Sequence, residues 1–135
     1  MRNETEKWLA FADDHLAAAT ILLDNKLNNP CLQNAQQAIE KALKAIFSEQ
    51  RIKAPKTHDI LALKYLLKNN KIEIPVSDSD CDFINSLFLP SMYPVDNVLA
   101  VHNPDKDTCL AAIKIAQDVV TNVKQYFSRP ENLAI

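Results

Sequence analysis

The chain of 135 residues contains no glycine, although glycine makes up about 7% of an average protein. Glycine is the residue that phosphate-cradling loops, dinucleotide-binding fingerprints and the tightest β-hairpin turns require. The sequence therefore excludes these elements. It favours helices joined by loops that are rich in proline and asparagine, since seven prolines are present and asparagine pairs stand at 28–29 and 69–70.

Apolar residues repeat at helical spacing in five segments of the chain. The predicted helices span residues 4–25 and 31–50, a short segment from a cap at Thr57 to Asn69–Asn70, residues 78–89, and a last segment that begins with Asn103 as cap and Pro104 in the first helical position and ends before Arg129–Pro130. Long helices with short connections pack as antiparallel neighbours. The predicted fold is all-α, an up-and-down four-helix bundle with an additional short helix.

Each predicted helix has an apolar stripe that we expect to face the core. The stripes consist of Trp8, Ala12, Leu16, Ala19 and Leu23; Leu32, Ala35, Ile39, Leu43 and Ile46; Ile60, Leu63 and Leu67; Cys81, Ile84, Leu87 and Phe88; and Cys109, Ile113, Ala116, Val120, Val123 and Phe127. Gln36 falls within the second stripe, so its amide is expected to bond to a neighbouring helix or subunit. Lys41 and Lys44 are expected on the opposite, solvated side, with Glu40 and Lys44 forming a four-residue ion pair.

One domain accounts for the whole chain, because 15.2 kDa leaves no room for a second core. We expect the bundle to cover residues 1–128 and residues 129–135 to form a flexible C-terminal tail. No apolar run approaches the ~20 residues that span a bilayer, and the charged N-terminus does not resemble a secretory signal. The three widely spaced cysteines favour free thiols and a cytoplasmic location.

Charge is distributed unevenly along the chain, although the net charge is only −2. Residues 41–71 carry eight basic and two acidic groups, whereas residues 72–110 carry one basic and seven acidic groups. Three interpretations remain open from the sequence. The blocks partly neutralise each other on a solvated surface, or the basic block receives a phosphate-bearing ligand or acidic partner, or opposed blocks join two copies of the chain.

Histidines are the main candidates for acid–base chemistry. His15 is expected to be exposed. His58 either is oriented by a neighbouring carboxylate, with Asp59 adjacent to it in sequence, or only makes a contact that fixes its loop. His102 lies in the proline-rich segment between Pro90 and Pro104, where it is a weak candidate for a general acid or base. The spacings typical of metal sites, HExxH and ExxH, are missing, so no metal or other cofactor is predicted.

Several segments resemble the HEPN family, the higher eukaryotes and prokaryotes nucleotide-binding domain. They are residues 36–45 (QQAIEKALKA), residues 55–60 (PKTHDI) with Leu63, the helix that contains Trp8, Ala12, Leu16, Ala19 and Leu22–Leu23, and Tyr93–Pro94. The resemblance covers roughly residues 4 to 127. It implies a bundle of about five helices that forms a homodimer, and in many members a small nucleotidyltransferase partner within a toxin–antitoxin pair.

Other HEPN proteins are metal-independent ribonucleases with an Arg-x(4–6)-His motif, and this sequence departs from that motif. Met92 stands where the arginine should precede Tyr93, and no arginine lies between Arg51 and Arg129. The resemblance therefore favours a non-catalytic nucleotide-binding or nucleotidyltransferase-partner module. In it Lys41, Lys44 and His58 are expected to meet phosphates and Tyr93 is expected to stack on a base. The structural alternative is that Tyr93 only closes the core and the lysines only keep the surface soluble. The alternatives are a divergent ribonuclease toxin that uses His102 or His58 with lysines, and a homodimeric interaction protein without a ligand.

Overall fold

The computed structural model describes residues 1–92 and 104–134, with side chains through residue 87 in the first range. The described residues form α1 (Asn3–Asp24), α2 (Asn28–Glu49), α3 (Ile60–Asn69), α4 (Asp78–Met92), α5 (Lys106–Phe127) and a 3-10 turn (Pro130–Asn132), with no strand among them. The predicted all-α bundle is confirmed, and α3 is the additional short helix. Within the described residues, no helix is both long and apolar enough to cross a membrane.

Helix α2 lies at the centre of the bundle and packs against each of the other four helices. Fourteen of its 22 residues are buried, so the helix is enclosed on more than the one side that its predicted stripe occupies. Small buried side chains on α2 allow the neighbouring helices to pack closely against it. They are Cys31, Ala35, Ala38, Ala42 and Ala45. The polar side that carries Gln37, Lys41 and Lys44 is partly covered by neighbouring helices.

The other predicted stripes largely form the core. Ile60, Leu63 and Leu67 of α3 are buried, as is the whole predicted stripe of α5. In α1, Ala12, Ala19 and Leu23 are buried while Trp8 and Leu16 are only partly so. In α4, Cys81 and Ile84 are buried and Leu87 is partly buried, whereas the side chain of Phe88 lies outside the described residues.

Aspartates, rather than the predicted residues, begin two of the helices. Asp59 caps α3 by accepting the Ala62 N–H at 3.1 Å, and Asp105 caps α5 by accepting the Thr108 N–H at 2.7 Å. The predicted cap at Thr57 and the predicted start of α5 at Pro104 are therefore wrong. A carboxylate is a strong N-cap because it both accepts the free N–H and faces the positive end of the helix dipole.

Helix α4 continues through Pro90 to Met92, three residues beyond its predicted end at Leu89. Proline lacks an N–H and so removes one hydrogen bond to the fourth preceding carbonyl. Because Pro90 lies in the last turn of α4, that loss affects only the end of the helix.

Three helices end in the same motif without glycine. The residue after each cap has a left-handed backbone, namely Lys26 (φ 61°), Arg51 (φ 57°) and Lys71 (φ 63°). In each case the next residue is apolar and its N–H bonds back into the helix: Leu27 to Leu22 at 2.9 Å, Ile52 to Phe47 at 2.9 Å and Ile72 to Leu67 at 3.0 Å. This is the Schellman pattern, in which glycine is the usual left-handed residue. A side chain with a Cβ costs free energy there.

Replacing Lys26 with glycine is expected to raise the free energy of unfolding by about 0.5–1 kcal/mol, because glycine removes the left-handed strain and this gain exceeds the cost of its larger unfolded-state entropy. The matched control is Lys7→Gly in the interior of α1, which should lower the free energy of unfolding by about 1 kcal/mol. Urea unfolding of both variants measures the difference. A loss of stability in Lys26→Gly would contradict the left-handed assignment.

The carboxylate of Glu49, near the end of α2, is buried, with the residue only 1% exposed. It accepts hydrogen bonds from the backbone N–H of Arg2 at 2.9 Å, the hydroxyl of Thr5 at 2.9 Å and the backbone N–H of Ala134 at 2.7 Å. Both ends of the chain thus bond to one side chain of the central helix. Residues 129–135, expected as a flexible tail, contain the 3-10 turn and this contact.

Candidate functional site

The buried carboxylate of Glu40 on α2 gathers three of the basic side chains around it. Glu40 is 1% exposed. Its Oε2 lies 3.3 Å from Lys41 Nζ and 3.8 Å from Lys44 Nζ, and its Oε1 lies 2.8 Å from His58 Nδ1. The predicted ion pair between Glu40 and Lys44 is present. We refer to Glu40, Lys41, Lys44 and His58 as the Glu40 cluster.

Trp8 of α1 covers the two lysines of the Glu40 cluster. Its ring centroid lies 5.6 Å from Lys41 Nζ and 5.9 Å from Lys44 Nζ, within the range of a cation–π interaction. The side chains of Lys41 and Lys44 are consequently only 20% and 17% exposed. The sequence placed both lysines on a solvated side. Most of each lysine side chain is enclosed because α1 packs across that side of α2.

His58 joins the cluster through the segment that precedes α3. The buried Gln36 amide donates to the backbone carbonyl of His58 at 3.1 Å, so its partner lies in the segment before α3 and not in a neighbouring helix as predicted. Glu40, rather than the adjacent Asp59, is the carboxylate that contacts His58 Nδ1. Asp59 instead caps α3 and accepts from the Asn85 amide at 2.8 Å.

The Glu40 cluster carries more positive than negative charge. One carboxylate faces two ammonium groups, which leaves an excess of +1. Carboxylate and ring contacts hold the lysine heads in place, so little side-chain entropy is lost when an anion binds to them. Half of the His58 side chain is exposed, and the cluster therefore opens to solvent. The arrangement is suited to binding a phosphate group, for which lysine acts as a point charge.

Tyr93 and His102 lie outside the described residues. His15 is partly buried rather than exposed, and its Nδ1 lies 2.9 Å from Asn34 Oδ1 on α2. Among the described residues, no group of histidine, cysteine and acidic side chains has the arrangement of a metal site.

The cysteines are free and buried. Burial raises the pKa of Cys31 to about 12 and that of Cys81 to about 11, and burial also raises the pKa of Cys109. A thiol reacts as its thiolate. These three side chains are therefore packing residues and not nucleophiles.

The basic and acidic blocks of the sequence meet where α3 contacts α4. Lys64 Nζ lies 2.6 Å from Asp78 Oδ1, and the Tyr65 hydroxyl donates to the same carboxylate. The hydrogen bond with Asp78 raises the pKa of Lys64, and the same bond lowers the pKa of Asp78. The two blocks thus neutralise each other at this point, whereas the lysines of the Glu40 cluster contact a carboxylate of α2 itself.

Comparisons with known proteins identify the family and the fold. The HEPN domain family model matches residues 5–126. The chain is similar to the crystal structure of TT1696 from Thermus thermophilus, with 22% identity and a TM-score of 0.77 over 92% of this chain and 98% of that one. It is also similar to ST0689, an archaeal HEPN homologue, with 23% identity and a TM-score of 0.71 over 93% and 98%. Among curated proteins, none matches the chain significantly.

Proposed function

The chain belongs to the HEPN domain family, and from that premise we propose that it is a nucleotide-binding module whose phosphate site is the Glu40 cluster. The observation that carries the proposal is the excess of positive charge around one buried carboxylate. Lys41 and Lys44 both lie within 4 Å of Glu40 Oε2, and a single carboxylate neutralises only one of them. A phosphate group supplies the missing negative charge.

The proposed role is binding rather than RNA cleavage. The family mechanism needs an arginine close to a histidine, and Arg51 and Arg129 flank a stretch that has no arginine. Arg51 is exposed in the motif that ends α2, and the histidine of the cluster faces Glu40. Lysine holds a phosphate as a point charge but lacks the planar fork of a guanidinium.

The wider role that we propose follows the family pattern. The module is a cytoplasmic homodimer that presents a nucleotide, or docks a small nucleotidyltransferase as one half of a toxin–antitoxin pair. Free buried thiols are consistent with a reducing compartment. Co-purification of a nucleotidyltransferase with the tagged chain tests the partner, and sedimentation equilibrium tests the dimer.

The phosphate site is tested by titration with pyrophosphate. Trp8 is the single tryptophan of the chain and contacts both lysines, so its fluorescence should change on binding. Lys44→Met is expected to weaken pyrophosphate binding about tenfold, since one of two phosphate-binding charges is lost. Calorimetry of the same variant gives the dissociation constant independently of the fluorescence.

The matched control is Lys114→Met, which removes a lysine whose side chain is 71% exposed and pairs with Asp118 on α5. It should leave pyrophosphate affinity within about twofold of the wild type, because exposed pairs contribute little. Equal losses in Lys44→Met and Lys114→Met would show that the anion binds by overall charge. No loss in Lys44→Met would place the site elsewhere.

A further inference from the structure

Phe11 has a large apolar side chain that is exposed to solvent in the fold. It is 52% exposed and lies on α1, one turn after Trp8. Its ring centroid lies 6.4 Å from that of Trp8, and the two ring planes are inclined at 81°. An edge-to-face contact covers at most one face of a ring. At least one face of Phe11 is thus not covered by Trp8.

The exposed ring lies close to the proposed phosphate site. Trp8 connects the two, since its centroid is 6.4 Å from the Phe11 ring and 5.6 and 5.9 Å from the ammonium groups of Lys41 and Lys44. The ammonium groups are therefore no more than about 12 Å from Phe11. A nucleotide, with ribose between its base and its phosphates, can span such a separation.

We infer that Phe11 stacks on the base of a nucleotide whose phosphate occupies the Glu40 cluster. This inference rests on the proposed function, because the lysines must first hold the phosphate. Proteins that bind single-stranded nucleic acids without sequence preference combine positive charge for the phosphates with aromatic side chains on which the bases stack. The lysines and Phe11 supply these two elements here. Purines offer a larger ring area than pyrimidines, so the site favours purine nucleotides and distinguishes bases by stacking rather than by hydrogen bonds.

The inference is tested with AMP and with ribose 5-phosphate, which has an anomeric hydroxyl in place of the base. Wild-type protein is expected to bind AMP about tenfold more tightly than ribose 5-phosphate in calorimetry, and AMP more tightly than UMP. Phe11→Ala should lower AMP affinity about tenfold and leave ribose 5-phosphate affinity unchanged. Phe11→Trp should retain or tighten AMP binding. The control is Ile21→Ala, which truncates another exposed apolar residue of α1 (61% exposed) and should change neither affinity.

The outcomes separate this inference from the proposed function. Equal affinities for AMP and ribose 5-phosphate, both weakened by Lys44→Met, would overturn base stacking while the phosphate site stands. Failure of both ligands and of pyrophosphate to bind would overturn the proposed function and this inference together. If Phe11→Ala changes the sedimentation of the protein but not its AMP affinity, Phe11 belongs to a protein interface and the inference is wrong.

Discussion

Replacing Glu40 with glutamine is expected to tighten pyrophosphate binding about tenfold and to lower the free energy of unfolding by about 1–3 kcal/mol. Glutamine keeps the shape of the side chain but removes the charge that Lys41 and Lys44 share. A unit charge about 4 Å away is worth ~1 kcal/mol in water and ~4 kcal/mol near a protein surface. Without that charge the two lysines repel each other, and a bound phosphate relieves the repulsion.

Opposite changes in stability and affinity distinguish a binding site from an internal ion-pair network. If the cluster only stabilises the fold, Glu40→Gln lowers the free energy of unfolding. Pyrophosphate then binds no more tightly to the variant and does not restore its stability. The control is Asp118→Asn, which releases Lys114 from an exposed pair on α5 and should change neither quantity by much. Urea unfolding with and without pyrophosphate measures both effects in one experiment. Unchanged or weaker binding by Glu40→Gln would contradict the proposed role of the lysines.

Truncating the second buried carboxylate, in Glu49→Ala, is expected to lower the free energy of unfolding by about 3 kcal/mol. Glu49 accepts three hydrogen bonds, from Arg2, Thr5 and Ala134. Hydrogen bonds to a charged group are stronger than those between neutral groups. The substitution leaves the three donors without this acceptor and releases both ends of the chain from α2. Glu131→Ala, in an exposed glutamate of the 3-10 turn, is the control and should change stability by less than about 0.5 kcal/mol.

The same contacts make the contribution of Glu49 depend on pH. Burial alone would raise its pKa, but hydrogen bonds from the Arg2 and Ala134 N–H groups and the Thr5 hydroxyl outweigh burial, so the pKa lies below its ordinary value of 4.5. A folded-state pKa below the unfolded one means that the stabilisation is complete above about pH 4.5 and is lost as pH falls through the folded value. Glu49→Gln should therefore lose less stability than the wild type when the pH falls from about 5 to about 3, a range that includes the ordinary value of 4.5. Equal acid sensitivity of the two proteins in urea unfolding would contradict the lowered pKa.

The helices and their inward residues could be predicted from the sequence because both follow from local patterns. Apolar residues such as Ile39 and Ile113 recur at helical spacing, and burial is the dominant reason for the stripe. The amide of Gln36 was recognisable for the same reason, since it interrupts an apolar stripe. Among the candidate site residues, Lys41, Lys44 and His58 were found from the sequence and lie together in the structure.

What the sequence did not reveal depends on contacts between segments far apart in the chain. Glu40 was expected only to pair with Lys44, and packing on several sides of α2 buries both Glu40 and Glu49. Trp8 was expected in the core because it belongs to an apolar stripe. Such a stripe does not show that the ring also contacts Lys41 and Lys44 of another helix. The helix ends were misplaced since Thr57 and Asp59 are both good caps, and the choice between them depends on Asn85, which bonds to Asp59 from α4.

The most direct test of the phosphate site is a crystal structure of the wild-type protein grown with pyrophosphate at a concentration that saturates binding in solution. The account predicts phosphate oxygens within hydrogen-bonding distance of Lys41 Nζ and Lys44 Nζ, beside the ring of Trp8. Pyrophosphate bound at another surface, with both lysines still contacting only Glu40, would contradict it.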